Sequence, residues 1–86
     1  MKKIIVTGGA GYIGSHTVVE LFNSRFTPII IDNLCNSSIK NIKGISKLIG
    51  REIKWYNVDC CNNNDVNSVF KEEGKIEGII HFAAFK

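Results

Sequence analysis

Apolar positions along the chain alternate between two rhythms. Lys2 to Thr7 carries an unbroken apolar run, Ile4, Ile5 and Val6, of the length of a short buried strand. From Tyr12 onward Ile13, Thr17, Val18, Leu21 and Phe22 recur at helical spacing. A second strand is predicted over Thr27–Asp32, where Ile29, Ile30 and Ile31 follow one another as in a strand covered on both faces, and Pro28 near its start is tolerable. After the loop NLCNSS, Ser38 is placed to cap a helix carrying Ile39, Ile42, Ile45 and Ile49, and Gly50 sits where that helix stops. Ile53–Val58 reads as a third strand. The run from Asn62 to Asp65 is a turn and N-cap cluster, followed by a short stripe of Val66, Val69 and Phe70 that ends at Gly74. Ile76–Phe82 supplies a fourth strand.

Strands alternating with helices in this way predict parallel βαβ units with right-handed crossovers, hence an α/β doubly wound parallel sheet of Rossmann type. The expected strand order is 3-2-1-4. Over 86 residues the pattern covers only the first half of such a sheet and the opening of the second, so residues 1–86 are expected to form a partial, incomplete dinucleotide-binding domain. Strand four then lies at an edge, with Ile79, Ile80 and Phe82 facing a missing neighbour, which predicts an aggregation-prone chain. Trp55, Tyr56 and Phe70 fit core packing, and His81 is expected to pack rather than react.

Between the first strand and the first helix lies VTGGAGYIGSH. Gly8, Gly11 and Gly14 give GxxGxxG, and Gly9, Gly11 and Gly14 give GxGxxG. Such a loop turns tightly, lets a pyrophosphate approach bare backbone, and lets the helix lie close on the sheet with its N–H groups and positive dipole end toward the phosphates. A glycine-rich turn can also be only a turn. The second element that separates the readings is Asp32, at the end of the second strand and eighteen residues beyond Gly14, where a carboxylate accepts from adenosine ribose hydroxyls. A 2′-phosphate about 4 Å from that carboxylate would meet repulsion of about 4 kcal/mol per unit charge at an effective dielectric near 20. NAD is therefore expected over NADP, the more so because Asn33, Leu34 and Cys35, rather than an arginine, follow Asp32.

Composition narrows the remaining classes. The chain is 44% apolar and 22% charged, and a formal charge of +3 gives no case for nucleic acid. Lys40, Lys43 and Lys47 share one helical face, read as the solvated side. Nothing resembles a signal peptide or a membrane span, so no membrane partner is expected. Cys35, Cys60 and Cys61 form neither a CxxC pair nor an even framework, which fits reduced thiols in a cytoplasmic protein. With His16 and His81 they offer no metal-ligand spacing.

TGGAGYIGSH, IIDNLCNSS, NVDCCN and IIHFAAFK together resemble the amino-terminal part of the UDP-glucose 4-epimerase family of extended short-chain dehydrogenases/reductases, over essentially all 86 residues. The first segment is shared by many nucleotide-sugar enzymes; the second and last narrow the field. The resemblance implies that Gly8, Gly11, Tyr12, Ile13 and Gly14 form the pyrophosphate loop and Asp32 the ribose ligand. It further implies that Asn33, Asn36 and Ser37 wrap the adenosine end, while Asp59 and Cys60 lie beside the adenine. Phe82, Ala83 and Ala84 would form the turn beneath the nicotinamide half, and Lys86 would reach the cofactor phosphates. Apart from the resemblance, the alternative reading of Asp59 is a strand-end turn residue.

In that family a tyrosine of a YxxxK pair, helped by a serine or threonine, takes the proton of the sugar 4-hydroxyl while hydride passes from C4 to NAD and returns to the opposite face. Neither Tyr12 nor Tyr56 is followed four positions later by lysine, so no catalytic residue is assigned here and the 86 residues are expected to lack turnover. The resemblance implies a complete protein, a homodimer that interconverts UDP-glucose and UDP-galactose in galactose metabolism, of which this is the NAD-binding piece. Two alternatives remain. One is the corresponding part of a nucleotide-sugar 4,6-dehydratase, against which Phe85 and Lys86 after HFAA argue; the other is a non-catalytic nucleotide-binding half domain.

Overall fold

The structure, a computed structural model, describes residues 2–34, 38–59 and 61–82. Its elements follow the predicted alternation: β1 (Lys2–Thr7), α1 (Tyr12–Asn23), β2 (Phe26–Ile31), α2 (Ile39–Ile49), β3 (Lys54–Tyr56), α3 (Asn63–Glu73) and β4 (Gly78–His81). All pairings are parallel and the sheet order is β3-β2-β1-β4, as the alternation predicts.

Period-two alternation divides the core between the two faces of the sheet. Val6 and Ile30 point to one face and pack with Ala10, Val18, Ile42 and Ile45 of the α1–α2 layer and with Ile53. Ile5, Ile29 and Ile31 point to the other and meet Val69 of α3. The consecutive isoleucines of β2 are thus all buried, one set under each layer. Pro28 is tolerated in this inner strand because β3 begins only opposite Ile29, so no β3 partner faces the ring. Trp55, Tyr56 and Phe70 are half-buried against these clusters, in the packing role expected of them.

Local chemistry explains the helix ends. The Ser38 hydroxyl accepts from the Lys40 N–H at 3.1 Å, and the Asn62 side chain accepts from the Asp65 N–H at 3.2 Å. Gly50 closes α2 with φ +73°, and Gly74 closes α3 with its N–H on the Phe70 carbonyl at 3.0 Å. Lys40, Lys43 and Lys47 line the exposed side of α2.

Several expectations are corrected in detail. The second strand covers Phe26–Ile31, so Asp32 lies just past its end. Ile53–Val58 contracts to Lys54–Tyr56, because the Val58 N–H turns back onto the Tyr56 carbonyl at 2.9 Å and closes a three-residue turn. Ile76–Phe82 contracts to Gly78–His81, although the Glu77 and Phe82 N–H groups still reach the Lys3 and Thr7 carbonyls, both at 2.9 Å. Ile39, at the first turn of α2, stays 40% exposed, whereas Ile42 and Ile45 are buried and Ile49 packs against their cluster at the far end of the helix. His81 does not pack in the core. It is exposed at the end of β4, an edge strand among the described residues, and its Nδ1 is hydrogen-bonded to the Thr7 hydroxyl. On the same strand Ile79 is 54% exposed, whereas Ile80 is half-buried.

Glu73, the last residue of α3, has a fully buried carboxylate. The helix dipole disfavours an anion at that end. The Lys54 ammonium lies 2.8 Å from one oxygen, the Lys3 ammonium 3.3 Å from the other, and the Tyr56 hydroxyl donates a further short hydrogen bond. Burial pushes the Glu73 pKa up, but the hydrogen bonds from Lys54, Tyr56 and Lys3 together outweigh it and hold the group below its ordinary value. The same bond to the Glu73 carboxylate, with burial, pushes Tyr56 well above the usual phenol range. The cluster ties α3 to Lys3 near the start of β1 and to Lys54 and Tyr56 of β3.

Candidate functional site

The carboxyl ends of all four strands open on one edge of the sheet, where Gly8, Asp32, Asp59 and Phe82 follow β1, β2, β3 and β4. Strand order reverses at β1, whose neighbours β2 and β4 are reached by crossovers on opposite faces. In open α/β sheets ligands bind in the crevice at such a switch point.

The glycine loop is held tightly at this edge. Gly8 leaves β1 with φ +71°, a left-handed conformation that favours glycine, and its N–H donates to the Ile31 carbonyl at 2.8 Å. The Gly11 N–H closes a turn on the Gly8 carbonyl at 3.0 Å. A Cβ on Gly14 would sit 2.3 Å from the Gly8 oxygen, so only glycine lets α1 approach the loop this closely. Gly9 lies against Ile30, where a Cβ would come within 2.9 Å of that side chain. Both spacings read from the sequence therefore contain glycines with distinct internal reasons.

At the head of α1 the helical ladder begins with the Ser15 N–H on the Gly11 carbonyl at 2.8 Å. Gly11 is the N-cap and offers no side chain, and no acidic residue stands in the first turn. Among the described residues no acceptor takes the N–H groups of Gly9, Tyr12, Ile13 or Gly14. Tyr12 is 80% and Ile13 64% exposed, with the Tyr12 ring edge-on to His16 at 4.9 Å. Bare donors at a helix N-terminus beside a cap without a side chain suit an oxyanion.

Asp32 stands beside this loop. Its Oδ2 accepts from the Ala10 N–H at 3.1 Å and its Oδ1 from the Leu34 N–H at 2.8 Å. The carboxylate thus braces the glycine loop as well as the turn after β2, and carboxylate oxygens each accept more than one bond. Asn33 follows on the exposed side. Asp59 lies at the β3 end, exposed, with Oδ1 accepting from the Cys61 N–H at 2.9 Å, the turn geometry that was its alternative reading. Phe82 is 37% exposed beyond β4. Asn36, Ser37, Cys60, Ala83, Ala84 and Lys86 lie outside the described residues.

Three contacts around the site were not anticipated from the sequence. The Asn41 amide of α2 donates to the Ala10 carbonyl at 2.6 Å, the Trp55 indole donates to the Asp32 carbonyl at 2.9 Å, and Thr7 pairs with His81. Each is a long-range contact that no spacing announces. Among the described residues no three potential ligands gather for a metal, and no helix is long and apolar enough to cross a membrane.

Comparison with known proteins finds nucleotide-sugar enzymes. The chain is 50% identical over 84 residues to a UDP-glucose 4-epimerase of Dictyostelium discoideum, covering 98% of this chain and 24% of that protein. A UDP-glucose-4-epimerase from Stenotrophomonas maltophila, solved with bound NAD and formylated UDP-arabinopyranose, superposes with a TM-score of 0.92 at 35% identity, covering all of this chain and 25% of that one. A dTDP-glucose 4,6-dehydratase from Bacillus anthracis in complex with NAD gives 0.83 at 30% identity, covering 99% and 27%. The chain therefore spans about a quarter of the length of these relatives. The family model described as GDP-mannose 4,6 dehydratase matches residues 5–86, and the chain belongs to that family.

Proposed function

We propose that this chain binds NAD at the carboxyl edge of its sheet, as the cofactor-holding part of a nucleotide-sugar epimerase acting on UDP-glucose and UDP-galactose. The observation that carries the reading is the pairing of unaccepted N–H groups at Tyr12, Ile13 and Gly14 with Asp32 one strand over. A dinucleotide fits this set. Of the loop glycines, Gly11 has an ordinary φ of −74° and the mildest Cβ contact, 3.3 Å to the Gly8 oxygen, and a bare backbone there also leaves room for a ligand to approach the loop.

In this reading the first-turn N–H groups and the dipole of α1 hold the pyrophosphate. Asp32 accepts from the adenosine ribose and disfavours a 2′-phosphate, with Asn33, Asn36 and Ser37 around the adenosine and Asp59 and Cys60 at the adenine. Phe82, Ala83 and Ala84 serve the nicotinamide half, and Lys86 the cofactor phosphates. NAD, once bound, supplies a hydride acceptor that can return what it takes. Proton transfer is not assigned to any residue of this chain, so the 86 residues alone are proposed to bind cofactor without turnover. The similarity to a dTDP-glucose 4,6-dehydratase keeps a dehydratase as the second reading.

Calorimetric titration of the chain with NAD and with NADP tests the cofactor assignment. Saturable binding of NAD, at least tenfold tighter than NADP, is expected; equal affinities or no binding would contradict it. Assay of the longer protein carrying this segment with UDP-glucose, read as UDP-galactose or as a 4-keto-6-deoxy product, separates epimerase from dehydratase.

A further inference from the structure

We propose that Asn41, on α2, is a positioning residue for the pyrophosphate loop, acting on the cofactor only through the Ala10–Gly11 peptide. The inference rests on the reading of this edge as the NAD site and adds a residue to it.

Ala10 is fully buried, and the two peptides that flank it are held separately. The peptide preceding it is fixed by Asp32, whose Oδ2 accepts the Ala10 N–H at 3.1 Å. The peptide that follows is fixed at both ends: its carbonyl accepts from the Asn41 Nδ2 at 2.6 Å, and its N–H, that of Gly11, donates to the Gly8 carbonyl at 3.0 Å. A carbonyl only accepts, so the Asn41 amide nitrogen must face it.

Consequences follow along the backbone. Gly11 lacks a Cβ and on its own samples a wide range of dihedrals, so a turn hydrogen bond at one end leaves the Ala10–Gly11 plane free to rock. Holding the carbonyl from α2 pins that plane and, with it, the extended Gly11 geometry, φ −74° and ψ 174°, that aims the Tyr12 and Ile13 N–H groups. The helical ladder starts at Ser15 because Gly11 is the N-cap, so the Gly14 N–H is one of the first-turn donors this extended geometry leaves available. A single hydrogen bond from a neighbouring helix thus holds the orientation of the donors presented to an anion.

The test compares the chain with Asn41→Leu, which keeps bulk and removes the donor, and with Asn41→His, whose Nδ1 stands as many bonds from the backbone as the amide nitrogen. Asn41→Ala, run in parallel, guards against a packing effect of leucine. Calorimetric NAD titration is read beside the amide shifts of Gly11, Tyr12 and Ile13 in the free proteins. Loss of one hydrogen bond that orders the loop corresponds to roughly a tenfold weaker Kd in the leucine and alanine variants. The expected result is that loss together with moved Gly11–Ile13 amides, and a histidine variant within about threefold of the parent. Unchanged affinity in the leucine and alanine variants overturns the proposal, as does a histidine variant as weak as they are. If the parent chain itself fails to bind NAD, the reading of the site falls and the proposal falls with it, an outcome distinct from equal binding by all four proteins.

Discussion

Replacing Gly14 by alanine puts the close approach of α1 to the sheet under direct strain. The added Cβ would lie 2.3 Å from the Gly8 oxygen and 3.0 Å from both the Gly8 carbonyl carbon and the Gly9 Cα, all of them backbone atoms. A comfortable carbon–oxygen approach is ~3.3 Å, so helix and loop must part by roughly 1 Å. The loop cannot yield alone, because Ile31, Asp32 and Asn41 hold it at Gly8 and Ala10. Overpacking of this kind costs about 1–3 kcal/mol, and rigid backbone neighbours put it at the upper end. Alanine returns about 0.5–1 kcal/mol through helix propensity, leaving a net loss of about 2 kcal/mol. For a chain of this size that lowers Tm by roughly 8–16 °C. Gly44, in the middle of α2 with nothing within 4 Å of its would-be Cβ, is the internal control: Gly44→Ala is expected to raise Tm by a few degrees. Thermal unfolding followed by circular dichroism measures both. A Gly14→Ala protein as stable as the parent would refute the packing argument, because the same substitution at Gly44 removes any appeal to propensity.

The buried acid of α3 yields two further expectations, and Asp32 a third. Glu73→Gln removes the charge that Lys3, Lys54 and Tyr56 converge on; with Lys54 59% exposed and able to rehydrate, the loss in urea unfolding is roughly 2 kcal/mol. Because the folded pKa of Glu73 lies below its ordinary value of 4.5, its stabilisation is complete above that pH and drains away as pH falls further. Stability of the parent should therefore drop more steeply below about pH 4.5 than that of Glu73→Gln, and parallel profiles would contradict the assignment. Asp32→Ser is expected to weaken NAD about tenfold or more while narrowing the gap to NADP, as read by titration; an unchanged ratio of the two affinities would remove the carboxylate from ribose recognition.

Much of the fold was legible because each boundary carries its own local chemistry. Ser38, Gly50, Asn62 and Gly74 end their helices where the pattern puts them, since caps depend on a single residue type at a single position. Strand order followed once the alternation and crossover handedness were read as a dinucleotide-binding sheet. The strand ends were less legible: whether Asp32 or Val58 continues a ladder depends on partners in other strands, and both are drawn instead into turns. Of the site, the glycine loop and Asp32 were visible as a spaced pair, but the division of labour among Gly8, Gly9 and Gly14 required the contacts with Ile30 and the Gly8 oxygen. Asn41 sits one position before the buried Ile42 and looks like any polar helix residue. Glu73 reads as solvated for the same reason, until Lys3, seventy positions away, is brought beside it.

The most direct test of the account is an amide chemical-shift titration of the isotopically labelled chain with NAD. Saturable shifts are expected to concentrate at Gly9, Gly11, Tyr12, Ile13 and Gly14 and at Asp32 and Asn33, with the Lys3–Lys54–Glu73 end of the sheet unmoved. Shifts centred on that opposite end, or none at the glycine loop, would contradict it.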